Sequence, residues 1–139
     1  MFVSDLSVEK WMGNQDKSTL LENPTWQQIE LAICELNGQT QTLVTLGADE
    51  ETYMSIGGGA AGKYIVNVTF DGMNFYNLVD RSQPEKIEQL AIGGQLGNYS
   101  AKLCVDLQTA LLVAKTFGQF GVLEESVNWE DAQSLAMVG

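Results

Sequence analysis

The sequence predicts an α+β fold, an antiparallel β-meander of about five to six strands with an N-terminal and a C-terminal helix packed on one face. Three observations carry that prediction. Apolar residues recur at three and four residue spacing over 25–36 and again over 106–117. Between 39 and 105 the period changes to two and is punctuated by turn residues rather than by helices. A glycine-rich run at 57–63 leads directly into Tyr64-Ile65-Val66-Asn67-Val68-Thr69-Phe70, whose β-branched and aromatic side chains favour a pleated strand.

Thr25 opens the first helix. It follows Pro24, precedes Trp26 and has Gln28 three positions on, the spacing of a capping box. Ile29, Ala32, Ile33 and Leu36 then form an apolar stripe while Gln27, Gln28, Glu30 and Glu35 face away, and Asn37-Gly38 ends the helix because glycine takes the left-handed cap readily. Strands are expected near 40–47, 51–57, 63–70, 74–79, 87–93 and 98–105. Their connections are Ala48-Asp49-Glu50, the glycine loop, a two-residue hairpin at Asp71-Gly72, a longer loop at 81–85, and 93–97. Asp106 caps the second helix, on which Leu107, Ala110, Leu111, Ala114 and Phe117 share a face, and Phe117-Gly118 ends it. Residues 119–139 have few periodic apolar positions and read as a segment that wraps the body or frays. The expected organisation is an N-terminal extension at 1–22, a single domain at 23–131 and a C-terminal tail at 132–139.

The run Gly57-Gly58-Gly59-Ala60-Ala61-Gly62-Lys63 satisfies both the phosphate-loop pattern and the dinucleotide pattern. Both need a helix after the glycines, so that backbone N–H groups and the positive helix end meet an anion. A strand follows instead, Tyr64 stands where a phosphate loop needs Ser or Thr, and the loop is expected to join strand to strand. A short echo, Ile56-Gly57-Gly58 with Gly62-Lys63-Tyr64 against Ile92-Gly93-Gly94 with Gly97-Asn98-Tyr99, reads either as two hairpins of one design or as coincidence among 14 glycines.

Composition narrows function more sharply. Seven basic and 18 acidic residues give a net charge of −11, which repels a nucleic-acid backbone and would speed association with a basic partner or simply keep the chain soluble. With no histidine, every Ser-His or Cys-His nucleophile and every His-ligated metal site is excluded. Asp49-Glu50-Glu51 is the densest acidic cluster, and between two strands it reads as a solvated turn more readily than as catalytic carboxylates; no catalytic residue, metal or cofactor is expected. Cys34 and Cys104 fit neither a zinc knuckle nor a CxxC pair and read as reduced core residues. Residues 1–10 lack a secretory pattern and no apolar run approaches the length of a membrane helix, so a cytoplasmic protein without membrane contact is expected. Trp26 is expected to pack against the meander; Trp11 and Trp129 would either anchor a partner or pin the chain ends.

An ordered set of short strings runs through the chain: Asn23-Pro24-Thr25-Trp26-Gln27-Gln28-Ile29-Glu30, Leu36-Asn37-Gly38, Thr42-Leu43-Val44-Thr45-Leu46, Ile56-Gly57-Gly58-Gly59 and Gly62-Lys63-Tyr64. Leu78-Val79-Asp80, Gly93-Gly94-Gln95, Gly97-Asn98-Tyr99, Val105-Asp106 and Val127-Asn128-Trp129-Glu130 complete it. Over residues 23–131 this set resembles the Imm1 family of bacterial immunity proteins. The resemblance implies a cytoplasmic antidote made beside a polymorphic or contact-dependent toxin, which blocks a cognate toxin domain, such as a basic nuclease or deaminase, by tight binding and without catalysis. On that reading the candidate contacts are Asp49, Glu50, Glu51, Trp129 and Glu130, on the sheet face opposite the helices or at an edge. The alternatives are a small-molecule or nucleotide-binding domain using the loop 57–63, and a structural module that forms a homo-oligomer through an exposed sheet edge.

Overall fold

In the computed structural model, which describes residues 1–132 and 137–138, the chain runs β1 (Asp5–Met12), β2 (Gln15–Asp16), β3 (Thr19–Glu22), α1 (Trp26–Cys34), β4 (Gln41–Gly47), β5 (Tyr53–Gly58), β6 (Tyr64–Thr69), β7 (Phe75–Val79), β8 (Ile87–Ile92), β9 (Gln95–Ser100), α2 (Leu107–Phe120), β10 (Asn128–Ala132) and β11 (Met137–Val138). Of the expected tail at 132–139, residues 133–136 and 139 lie outside the described residues.

The period-two segment from β4 to β7 is an antiparallel meander, as its alternation predicts, and it forms the centre of an eight-stranded sheet in the order β10-β7-β6-β5-β4-β1-β2, with β3 also paired to β1. Both helices pack on one face of this sheet. Val44 and Leu46 of β4, Met54 and Ile56 of β5, and Val66 and Val68 of β6 point into a single cluster with Ile29 and Ile33 of α1 and Val113 and Phe117 of α2, all fully buried. The α1 capping box forms as its spacing predicts: Thr25 N–H donates to Gln28 Oε1 (2.9 Å) and Gln28 N–H to Thr25 Oγ1 (3.2 Å). Asp106 accepts from Thr109 N–H (2.8 Å) to start α2.

Several local expectations are corrected. Residues 1–22 supply three strands to the sheet, with β1 paired to β4 along most of its length. The segment after α2 contributes β10 to the other edge, paired with β7. The helix α2 does not stop at Gly118. That glycine lies buried inside it, where its carbonyl accepts from Phe2 and Val3 N–H (2.9 and 3.1 Å), and the helix ends at Gly121 with φ +69°. Asp71-Gly72 is not a two-residue hairpin but part of a longer turn in which Asp71 accepts from the N–H groups of Met73 and Asn74 (2.9 and 2.8 Å).

The last hairpin leaves the main sheet. Gly93 and Gly94, at φ +62° and +76°, form the two-residue turn between Ile92 and Gln95, so β9 starts earlier than expected and a 3-10 turn at Ala101–Leu103 replaces the strand's latter half. The first member of the glycine echo is built differently, since Gly57 and Gly58 lie within β5 and Gly59 to Lys63 make the connection. With β11, the β8–β9 hairpin makes a three-stranded sheet over part of the face opposite the helices, closing a second core of Ile65, Val79, Leu90, Tyr99, Leu103 and Cys104. No helix among the described residues is long and apolar enough to cross a membrane.

Candidate functional site

Directly opposed residues in an antiparallel sheet point to the same side, so the registers sort the face away from the helices into transverse rows. The row nearest the β8–β9 hairpin contains Glu9, Leu43, Gly57 and Ile65 and is the row that the second sheet covers. Glycine at 57 permits the closure. A Cβ placed there would lie 2.6 Å from Ile92 Cγ2. Trp11 seals the hairpin's end, its indole lying against Gly94 and donating to Glu9 Oε1 (2.9 Å), while Gly94 N–H donates to Thr42 Oγ1 (2.9 Å).

The middle row crosses seven strands as Leu20, Ser7, Thr45, Ser55, Asn67, Asn77 and Glu130; Leu20, 66% exposed, stands at its β3 end, and every other member is polar. Asn77 is 4% exposed, and its Oδ1 has no hydrogen-bond partner among the described residues. An unpaired buried acceptor costs about 1–3 kcal/mol, so this row carries a polar group that the fold does not use. At the row's end Glu130 pairs with Lys102 Nζ (3.0 Å).

The outer row runs Glu22, Asp5, Gly47, Tyr53, Thr69, Phe75 and Ala132. The Asp5 carboxylate lies over Gly47, where a Cβ would come within 2.5 Å of Oδ1. Tyr53 and Phe75 meet edge to face across Thr69, with ring centroids 6.4 Å apart, and both are half-buried. Beyond this row lie the β4–β5 turn with Asp49, Glu50 and Glu51, all exposed, and the β6–β7 turn with Asp71 and the 76% exposed Met73. The two turns are neighbours: Gly72 sits beside Glu51. Asp49 organises its own turn by accepting from the N–H groups of Glu51 and Thr52 (2.8 and 2.9 Å). Hydrogen bonds from Asn74 backbone N–H, from its side chain and from Met73 N–H hold the Asp71 carboxyl down at about 2.

The structure thus separates the expected contact residues. The acids Asp49, Glu50 and Glu51 stand together at one end of the sheet, and Glu130 lies on the open face but is paired with Lys102. Trp129 lies opposite Leu78, on the helix side; it packs against the main core and its indole donates to the Glu124 carbonyl (3.0 Å), so it pins the C-terminal segment to the body. Trp26 packs on the core as expected, with Lys115 Nζ 5.8 Å from its ring centroid. Tyr53, Phe75 and Asn77 carry no local sequence signal, because only the strand registers place them on one floor.

The glycine loop is a hairpin connection, in keeping with the strand that follows it. Gly59 N–H donates to the Lys63 carbonyl (2.8 Å) and Lys63 N–H to that of Ala60 (3.1 Å), so these amides are spent within the loop. Gly59, at φ +106°, presses on the Leu36 carbonyl, and Lys63 Nζ pairs with Glu88 (2.6 Å), where Lys63 and Lys86 together hold the Glu88 carboxyl below its usual range. Of the cysteines, Cys104 is buried, which pushes its thiol up, whereas Cys34 is exposed at the end of α1 rather than in the core. No group of three or more Cys, Asp or Glu side chains among the described residues is arranged to hold a metal ion.

No curated protein and no solved structure matches the chain. The family model described as immunity protein Imm1 does, over residues 18–131.

Proposed function

Because the chain belongs to the Imm1 family of immunity proteins, we propose that it is the antidote to a cognate toxin domain, which it blocks in the cytoplasm by direct binding and without catalysis. The family match carries the reading, since it spans β3 to β10 and so takes in both helices and the meander. The chemistry of the chain agrees with it. There is no histidine for acid-base work, the net charge of −11 suits a basic nuclease or deaminase better than a nucleic acid, and the glycine loop lacks the helix that a phosphate site requires.

Binding without turnover has a quantitative signature. Co-expressed with its cognate toxin domain, the chain should restore growth, and the purified chain should abolish that domain's activity at one equivalent. Inhibition by a small fraction of an equivalent, with the toxin domain chemically altered afterwards, would identify an enzyme instead.

A further inference from the structure

We infer that the uncovered part of the sheet face opposite the helices is where the toxin docks, through a surface of the toxin rich in lysine and arginine. This deepens the immunity reading and rests on it. The outer and middle rows cross seven strands from β3 to β10, and six strand spacings of about 4.8 Å give a floor about 29 Å wide. That matches the width, though not by these two rows alone the area, of a standard interface of about 800 Å² per partner, the remainder falling to the adjoining turns. Its middle is aromatic and polar, with the Tyr53–Phe75 pair beside the row from Ser7 to Asn77. Its rim is anionic, with Asp5 and Glu22 on one side and the β4–β5 and β6–β7 turns along the end. An aromatic centre inside a charged rim is the common anatomy of protein interfaces.

Charge selects the partner. Six of the seven basic residues lie elsewhere: Lys10 and Lys17 towards the far end of the β1 ribbon, Lys63 and Lys86 in ion pairs with Glu88 of β8, Arg81 just past β7, and Lys115 on α2 over Trp26; the seventh, Lys102, meets the floor only at the β10 end of the middle row, where Glu130 neutralises it. The carboxylates of the outer end are therefore uncompensated, and their field attracts a cationic surface and raises its association rate. A second copy of the chain docking through the same floor would set carboxylate against carboxylate. The Oδ1 of Asn77 is a buried acceptor in the middle row of that floor with no partner among the described residues.

The test uses the full chain and its cognate toxin domain, with binding rates measured at low and high salt. Replacing Asp49, Glu50 and Glu51 together by Lys should slow association by roughly tenfold or more at low salt and flatten its salt dependence. Tyr53→Ala and Phe75→Ala should each weaken binding by roughly thirtyfold, chiefly through faster dissociation. Thr45→Arg and Asn67→Arg, at half-exposed positions that leave the core intact, should weaken it to a similar extent and keep the wild-type circular dichroism and melting temperature. Leu31→Ala, on the exposed side of α1, should bind as the wild type does. Unchanged kinetics in both arginine variants, or a loss confined to Leu31→Ala, would overturn the assignment of this face while leaving immunity standing; a wild-type chain that fails to bind the toxin domain at all would remove the immunity reading itself.

Discussion

The two faces of the main sheet are made by the same strands and end up as different materials. On the helix side Val44 and Leu46 of β4, Met54 and Ile56 of β5, and Val66 and Val68 of β6 are apolar and fully buried, sealed by α1 and α2. On the other side the row next to the β8–β9 hairpin puts Leu43, Gly57 and Ile65 under the second sheet, and the remaining rows are mostly polar, aromatic or acidic. Strand alternation lets one set of side chains hold the fold while its neighbours, one residue away, are released from that task. The covered row also marks where the release begins, since the second sheet reaches only as far as glycine at 57 lets Ile92 approach.

Mutations should reproduce this division. Phe117→Ala removes a fully buried ring that touches Phe2 and Phe70, with centroids 5.6 and 6.1 Å away, and should cost about 3–5 kcal/mol in chemical denaturation. Gly57→Val drives a branched side chain into Ile92 and should lift the β8–β9 layer, destabilising by about 1–3 kcal/mol and raising amide exchange in β8 and β9 ahead of β4 to β6. Thr25→Ala loses the capping box of α1 and should cost about 1 kcal/mol. Ser55→Ala, in the middle of the open row, should change stability by no more than about 0.5 kcal/mol; a loss comparable to Phe117→Ala would mean that the open face carries the fold after all.

The smallest effect is local and set by pH. Asp71 has its carboxyl lowered from the usual 3.8 to about 2, first by the N–H of Asn74. Its ionised form is therefore the one the folded turn favours, and the stabilisation is fully present above pH of about 4 and lost as pH falls through about 2. The Asp71 carboxyl carbon should titrate by NMR with a midpoint near that lower value, and a midpoint at the ordinary carboxylate position would show that the turn does not hold it.

What could be read from the sequence follows the same line between the faces. The helix-side core was legible because apolar spacing in Ile29, Ile33, Ala110 and Phe117 is a local signal, as are the caps at Thr25 and Asp106. Glycines misled where their role was close approach rather than termination. Gly118 admits the N-terminal segment against α2, a contact between residues more than a hundred positions apart that no local pattern encodes. The strands β1 and β10 escape a local pattern for a related reason. They are edge-region strands rich in charge, such as Asp5, Glu9, Glu130 and Asp131, and only pairing with β4 and β7 makes them strands. The acidic turn at Asp49 to Glu51 was visible as composition, yet the floor it borders is not, because Tyr53 and Phe75 become neighbours only through the register of β5, β6 and β7.

The division between faces is tested most directly by hydroxyl-radical footprinting of the chain alone and in complex with a cognate toxin domain. Protection of Tyr53 and Phe75 on binding, with the 60% exposed Leu31 and the half-buried Trp26 on the helix side unchanged, is the predicted result. Protection of Leu31 and Trp26 with Tyr53 and Phe75 still reactive would contradict it.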